Sequence, residues 1–233
     1  MSKPRNLLLS SLSASDAALL KPHLRAIDLE HEKVLFEPGH EMAAIYFPTG
    51  AIVSLVVTLS SGQMIEAAMV GQDGVVGAAA AIGGKIPINQ GIVQLAGTTL
   101  TCSVDALSAA AFQSRTLLSA LVRHEQTVYA QACQSAACMA THDVEARLCR
   151  WLLRARDLAD SDSLQFTQEF LAEMLGVKRT SVTLHARTLQ QAGMIKYSRG
   201  KIQIIDLEAL HETVCECYGT VKSYYQRAIA RSW

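Results

Sequence analysis

Lys178-Arg179-Thr180-Ser181, with Thr183 close behind, places two cations and three hydroxyls within six positions. These are the side chains that read duplex DNA. Arginine can form two parallel hydrogen bonds to a guanine edge, and threonine can touch a thymine methyl or a phosphate. Arg187 adds a cation further along, and Lys196, Arg199 and Lys201 follow as a second basic group suited to backbone phosphates. A different chemistry is offered by Cys215-Glu216-Cys217, where two nearby thiols could form a redox or metal site with His211. Two cysteines make a weak ligand set, so no metal site is assigned. Cys133 and Cys138 lie five residues apart, which on a helix turns them about 140° from each other and prevents a tight shared site.

The basic residues need a scaffold. Thr167 is a good N-cap for a helix over Gln168–Leu175, with Glu169 in its first turn and Phe166 placed to staple Leu171. Gly176 stops that helix. A second begins near Lys178-Arg179 and runs to Ala192, where Gly193 ends it. Two helices joined by a short glycine-containing turn form a helix-turn-helix. Met194–Tyr197, Ser198–Lys201 and Ile202–Ile205 then read as a β-hairpin with a basic tip. The whole is a winged helix-turn-helix whose second helix presents Lys178, Arg179, Thr180 and Thr183 to the major groove.

Upstream, the chain divides into two further zones. As far as residue 115, short β-rich runs alternate with turns: Lys33–Phe36, Ala44–Phe47, Ile52–Leu59, Met64–Val70, Gln90–Leu95 and Thr99–Val104. Strands recurring roughly every ten residues predict a β-sandwich or barrel, here preceded by a short helix over Ala14–Leu24 capped by Ser13 or Ser15. Gly71-Gln72-Asp73-Gly74 reads as a turn between strands. From Leu117 to Ala159 there is neither glycine nor proline. Leu118, Leu121, Val128, Ala132, Ser135 and Met139 recur at helical spacing, and Val122, Tyr129, Cys133, Ala136 and Ala140 widen the stripe. That width favours a two-fold dimer seam over packing within one domain. Thr141-His142-Asp143 supplies a break and a cap, and Val144, Leu148, Trp151, Leu152 and Ala155 follow on a second amphipathic helix.

The 233 residues carry 21 basic and 21 acidic side chains, a balance that on its own argues against a nucleic-acid partner. By segment the charges separate. Residues 164–205 hold six basic and two acidic groups, +4, whereas residues 1–115 hold seven basic and nine acidic groups, −2. The reader is basic and the rest mildly acidic. With 50% hydrophobic and 18% charged residues the chain is globular. The start, Met-Ser-Lys-Pro-Arg before Leu7-Leu8-Leu9, has too brief an apolar run for a secretory signal, and no run reaches membrane-spanning length. Six cysteines without framework spacing suit reduced thiols in a cytoplasmic protein. An enzyme is not expected: there is no phosphate-binding glycine loop, nucleophile elbow or His/carboxylate set at metal spacing. A module acting through protein contacts, with a vestigial helix-turn-helix, is the alternative.

The run Thr167 to Val182, TQEFLAEMLGVKRTSV, resembles the DNA-binding signature of the Crp/Fnr family of bacterial transcription regulators, approximately L-T-x-x-x-L-A-x-x-L-G-V-x-R-x-[ST]-V. Asp143–Leu148 resembles the entry to the preceding helix. The resemblance implies an α+β fold with four parts. These are a cyclic-nucleotide-binding-like β-roll or jelly-roll effector domain over residues 1–115 and a dimerisation helix over 116–142. A Crp-type winged helix-turn-helix over 143–212 and a helical tail over 213–233 complete it. It further implies a homodimer on a palindromic promoter site, contact with RNA polymerase, a base-reading role for Arg179, and phosphate contacts from Thr167 and Ser181. Departures are Thr180 in place of a frequent Glu, Leu184 in place of an Arg, and His185 at a usually apolar position, where a partly buried, hydrogen-bonded imidazole is expected.

The resemblance also implies an effector site near Gly77, Ala78, Ala79, Lys85 and Asn89. Members that bind cyclic nucleotides carry a Gly-Glu pair and an Arg-Ser/Thr pair; this segment offers Ala78 and no arginine, so little or no cAMP binding is expected. Members with an iron–sulfur cluster use grouped N-terminal cysteines, whereas the first cysteine here is Cys102. Haem is left open by His23, His31, His40 and Cys102, none singled out by spacing. The effector is unassigned.

Overall fold

The computed structural model describes residues 6–230; the basic flank at residues 1–5 lies outside the described residues. Asn6 caps α1 (Leu7–Ser11) and Ser13 caps α2 (Ala14–Leu20), whose continuation to Leu24 is a 3-10 turn, Lys21–His23, started by Pro22. The strands follow: β1 (Arg25–Leu29), β2 (Val34–Phe36), β3 (Ala44–Pro48), β4 (Ile52–Thr58) and β5 (Met64–Val70). After α3 (Ala78–Ala81) come β6 (Gln90–Leu95) and β7 (Gly97–Ser103). They form two antiparallel sheets, one in the order β1-β7-β3 and the other β2-β6-β4-β5. Val53, Leu55, Val70, Val76 and Val93 join Leu29 in one buried cluster of this β-roll. Strand β1 escapes sequence reading because four of its five residues are exposed, so no alternation marks it.

Helix α4 (Val104–Gln113) leads to the long α5 (Arg115–Thr141), and Asp143 caps α6 (Val144–Ala159) by accepting from the Ala146 amide at 2.8 Å. The face of α5 turned toward its own chain is unexpectedly polar. His124 Nε2 accepts from the Val75 amide at 3.1 Å, Gln131 Oε1 accepts from the Tyr225 hydroxyl at 2.7 Å, and Ser135 Oγ accepts from Arg150 at 3.4 Å. Buried polar groups stay because they are partnered. The apolar stripe therefore splits. Leu121 and Ser135 are buried within the chain, while Val122, Tyr129, Cys133, Ala136 and Ala140 stand exposed on the outer face.

After α6 come β8 (Ser163–Gln165), α7 (Gln168–Leu175) and α8 (Arg179–Gln191). The chain then forms β9 (Ile195–Ser198), β10 (Lys201–Ile204), α9 (Leu207–Thr213) and α10 (Cys217–Ala230). Strand β8 pairs with β10 and adds to the wing a third strand beyond the hairpin expected from sequence. Helix α6 is the pillar of this half. Trp151 meets Phe166 edge-on at 4.7 Å between ring centres, and Phe166 stacks on Phe170 at 5.7 Å. Ile52, Val56 and Met69 from β4 and β5 belong to the same buried cluster, so the roll and the helix-turn-helix share one apolar body.

Two charged features cross that body. Arg154 on α6 donates to Asp73 Oδ2 at 2.6 Å and to the Met69 carbonyl at 3.1 Å, with its guanidinium 4.3 Å over the Tyr225 ring. Asp73, read from sequence as a turn residue, is thus the partner of a buried arginine. On β5, Glu66 is buried, and burial pushes its carboxyl up to about 7 from the usual 4.5, against the opposing pull of Ser54, Arg150 and Arg154. Ser54 Oγ lies 2.5 Å from Glu66 Oε2 and also reaches Gln94 Oε1. One hydroxyl hydrogen cannot serve two acceptors. A neutral Glu66 that donates to Ser54, which in turn donates to Gln94, satisfies all three.

The folded chain therefore retains a proton that the unfolded chain releases above pH 4.5. This contribution to stability is complete below pH 4.5 and is lost as pH rises to about 7. Urea denaturation of the Glu66→Gln variant should show a flatter profile over that interval than the parent.

Candidate nucleic-acid interface

The helix-turn-helix is set by local signals. Thr167 Oγ1 accepts from the Phe170 amide at 3.1 Å and starts α7; Gly176, at φ 63°, ends it in the left-handed region that a side chain disfavours. Val182, Ala186 and Leu189 turn one face of α8 into the core, leaving Arg179, Thr180, Thr183, Leu184 and Arg187 outside. The wing is tighter than its sequence reads. Ser198 pairs with Lys201, leaving a two-residue turn with Arg199 at φ 50° and Gly200 at φ 77°. Both centres positive is the type I′ hairpin pattern, which matches strand twist but strains a residue with a Cβ. The strained residue here is a cation at the wing's tip.

Between α8 and the wing lies a concave surface lined by Thr167, Gln168, Glu169, Arg179, Thr183, Ala186, Arg187, Gln190, Tyr197, Ser198, Arg199 and Gly200. Five of the residues marked in the sequence meet there: Thr167, Arg179, Thr183, Arg187 and Arg199. Lys178 stands at the N-cap of α8, Thr180 and Ser181 in its first turn, and Lys196 and Lys201 on the exposed flank of the wing, all outside the concavity. Gln168, Glu169, Gln190, Tyr197 and Ser198 are additions. Gln168 could have been suspected from its place beside the cap, whereas Tyr197 depends on strand pairing.

The residues hold one another in place. Arg179 Nη1 sits 2.8 Å from Glu169 Oε1, a pair in which both side chains are more than half exposed. Thr183 Oγ1 donates toward Gln168 Oε1 at 2.6 Å. The Tyr197 hydroxyl donates to the Phe166 carbonyl at 2.7 Å, and its amide donates to Gln190 Oε1 at 2.7 Å. Burial pushes the Tyr197 phenol up to about 12, so it remains a neutral donor. Leu184 presents an exposed apolar side chain on the outer face of α8, a surface suited to a thymine methyl. His185 is partly buried, with Nδ1 3.3 Å from Glu145 Oε2, the hydrogen-bonded state expected of it.

The suggested effector residues divide. A second cavity, about 410 Å³, lies between the roll and α5. Gly77, Ala79 and Asn89 line it together with Phe36, Met42, Leu55, Val75, Ile86, Val128 and Tyr129. Ala78 instead packs in the core of the roll, and Lys85 is exposed, 3.3 Å from Asp105. Among the described residues, the single charged one in the lining is Glu125. A wall without a cation and with one carboxylate disfavours a phosphate.

The cysteines also rearrange. His211 faces the Tyr218 ring at 5.3 Å and takes no part with Cys215 and Cys217. Their neighbours are Cys138 and His142, from the end of α5. Cys133 is exposed and Cys138 buried, in accord with their angular separation. Among the described residues no helix is long and apolar enough to cross a membrane.

Residues 146–213 match a family described as the Crp-like helix-turn-helix domain. Among curated proteins, none matches this sequence. Solved structures share the fold. A Crp/Fnr-family regulator from Eubacterium rectale is 17% identical at a TM-score of 0.69, over 88% of this chain and 96% of the other. FixK2 from Bradyrhizobium japonicum is 14% identical at 0.71, over 82% and 98%. The c-di-GMP-responsive global regulator CLP from Xanthomonas campestris is 16% identical at 0.66, over 82% and 99%.

Proposed function

We propose that this chain, which has the fold of Crp/Fnr transcription regulators and carries a Crp-like helix-turn-helix domain, is a cytoplasmic, sequence-specific DNA-binding regulator rather than an enzyme. The observation that carries this reading is the concave surface in which Arg179, Thr183 and Arg187 of α8 face Arg199 of the wing across a groove capped by Thr167. Helix α8 enters the major groove with its N-terminus leading, while Lys196, Lys201 and Arg199 grip the flanking phosphates. The roll over residues 1–115 is the sensor, α5 the dimerisation helix, 143–212 the reader and the remainder a tail.

The working unit is a homodimer on a palindromic site. What supports this is the outer face of α5, where Tyr129 is 72% and Val122 39% exposed beside small Cys133, Ala136 and Ala140. Tyr129→Glu should convert the dimer to a monomer in native mass spectrometry and weaken DNA binding, because one half-site then acts alone. A dimer persisting in that variant would place the seam elsewhere.

The sensor ligand is a small apolar molecule held against Tyr129 and Val128 of α5, so occupancy of the cavity bears on the helix that spaces the two readers. Cyclic AMP is a poor fit for a pocket whose charge is Glu125, and a titration should detect no micromolar binding. Contact with RNA polymerase rests on the resemblance alone. Gel shifts over a salt series test the whole reading: a specific regulator keeps its preference for one site as affinity falls steeply with salt, and a protein-contact module does neither.

A further inference from the structure

Where α5 ends and the tail begins, four side chains converge. Cys138 and His142 stand one helical turn apart at the end of α5, and Cys215 and Cys217 flank the start of α10. Their ligand atoms all lie within 4.8 Å of one another. Cys138 Sγ is 3.6 Å from Cys215 Sγ, and Cys217 Sγ is 3.7 Å from His142 Nδ1. A tetrahedral zinc ion, with zinc–sulfur bonds of about 2.3 Å, sets its thiolates about 3.8 Å apart. An iron–sulfur cluster spreads its sulfurs over several irons and needs wider spacing.

We propose that Cys138, His142, Cys215 and Cys217 form a mononuclear, tetrahedral site for a borderline-soft divalent cation of the zinc class. The surroundings are those of a metal site. The second ring nitrogen of His142, Nε2, lies 3.2 Å from Glu216 Oε2, an arrangement that fixes the ring and leaves Nδ1 for the metal. Gln134 Nε2 donates to Cys217 Sγ at 3.0 Å, and the Arg150 guanidinium acts electrostatically on Cys138, which suits the net negative charge of three thiolates around a dication. The three cysteines are buried, while His142 remains partly exposed and marks the way in. Binding releases the thiol protons as the thiolates form bonds to the cation, and no electron is transferred.

The site joins the last turn of α5 to the first of α10 at the point where the chain turns into α6. Arg147, next along α6, donates to the Leu175 carbonyl at the end of α7, so the junction leads directly to the helix-turn-helix. Loss of the cation should loosen the reader against α5 and lower DNA affinity, a consequence that rests on the proposed DNA-binding function.

The test uses the full chain, stripped of metal and reduced, titrated with cobalt(II) alone. Intense visible bands of tetrahedral cobalt–thiolate should saturate at one equivalent and vanish on adding one equivalent of zinc(II). Cys217→Ser should lose them, Cys133→Ser and Cys102→Ser should keep them, and Glu216→Gln should keep them while weakening metal affinity about 10- to 100-fold. Glu216 is exposed, so that variant folds even where a cysteine variant does not. Absence of bands in the parent, a Cys138–Cys215 disulfide found in their place, or bands that survive Cys217→Ser would overturn the site. Bands with DNA affinity unchanged by chelation would overturn only the regulatory consequence. Bands without any DNA binding would instead count against the proposed function.

Discussion

Replacing Asp73 by alanine should lower the unfolding free energy by about 3–5 kcal/mol, because it leaves the Arg154 guanidinium charged and unmatched inside the protein. At roughly 2–4 °C per kcal/mol for a chain of this size, the melting midpoint should drop by some 6–20 °C. The geometry makes the loss large. The pair is 2.6 Å long, both side chains are about nine-tenths buried, and the cation is further held by the Met69 carbonyl and the Tyr225 ring. Breaking it therefore loosens the roll, α6 and the tail together. Removing both charges should cost much less: Asp73→Leu with Arg154→Met should recover most of the lost stability in thermal denaturation followed by circular dichroism. A single Asp73→Ala variant as stable as the parent would show that water reaches Arg154.

Arg179→Ala should weaken binding to the preferred DNA site by about 1–3 kcal/mol, roughly 5- to 150-fold, and relax specificity at one base position. Arg179 begins α8 and projects into the concave surface, where its partner is Glu169. An exposed pair of this kind contributes at most about 1 kcal/mol, so on the proposed function the guanidinium would leave it for a guanine at little cost. Lys201→Ala offers the contrast. On the wing's exposed flank it should weaken every sequence alike and reduce the salt slope by about one. A binding-site selection with each variant separates the two outcomes; equal losses on all sequences for Arg179→Ala would remove it from base reading.

Legibility followed the range over which each feature is determined. Helix α7 was readable to its ends because Thr167 and Gly176 act on their immediate neighbours, and β5 and β6 because turns bracket them. Helix α4 was hidden between a strand and a longer helix, although Ser103 caps it. Within the candidate interface, the α8 residues were visible as a cluster of types. Tyr197 and Gln190 enter it through strand pairing and a hydrogen bond from the Tyr197 amide to the Gln190 side chain seven residues away. The most distant relations left no local trace. Asp73 finds Arg154 across 81 positions and Cys138 finds Cys215 across 77. Proximity in sequence instead suggested His211 for the cysteines, but α9 turns that ring onto Tyr218.

The apolar body shared by Ile52, Val56 and Met69 with Trp151 and Phe170 has a bearing on how the two halves of this chain can be recombined. Grafting the helix-turn-helix half onto another β-roll at Asp143 would strip those sheet residues from its flank and leave the aromatic cluster facing water, an invitation to self-association. A chimera would need its new roll to supply matching aliphatic side chains at the seam. The two halves are thus a matched pair, and the break between α5 and α6 at His142 is a poor place to cut.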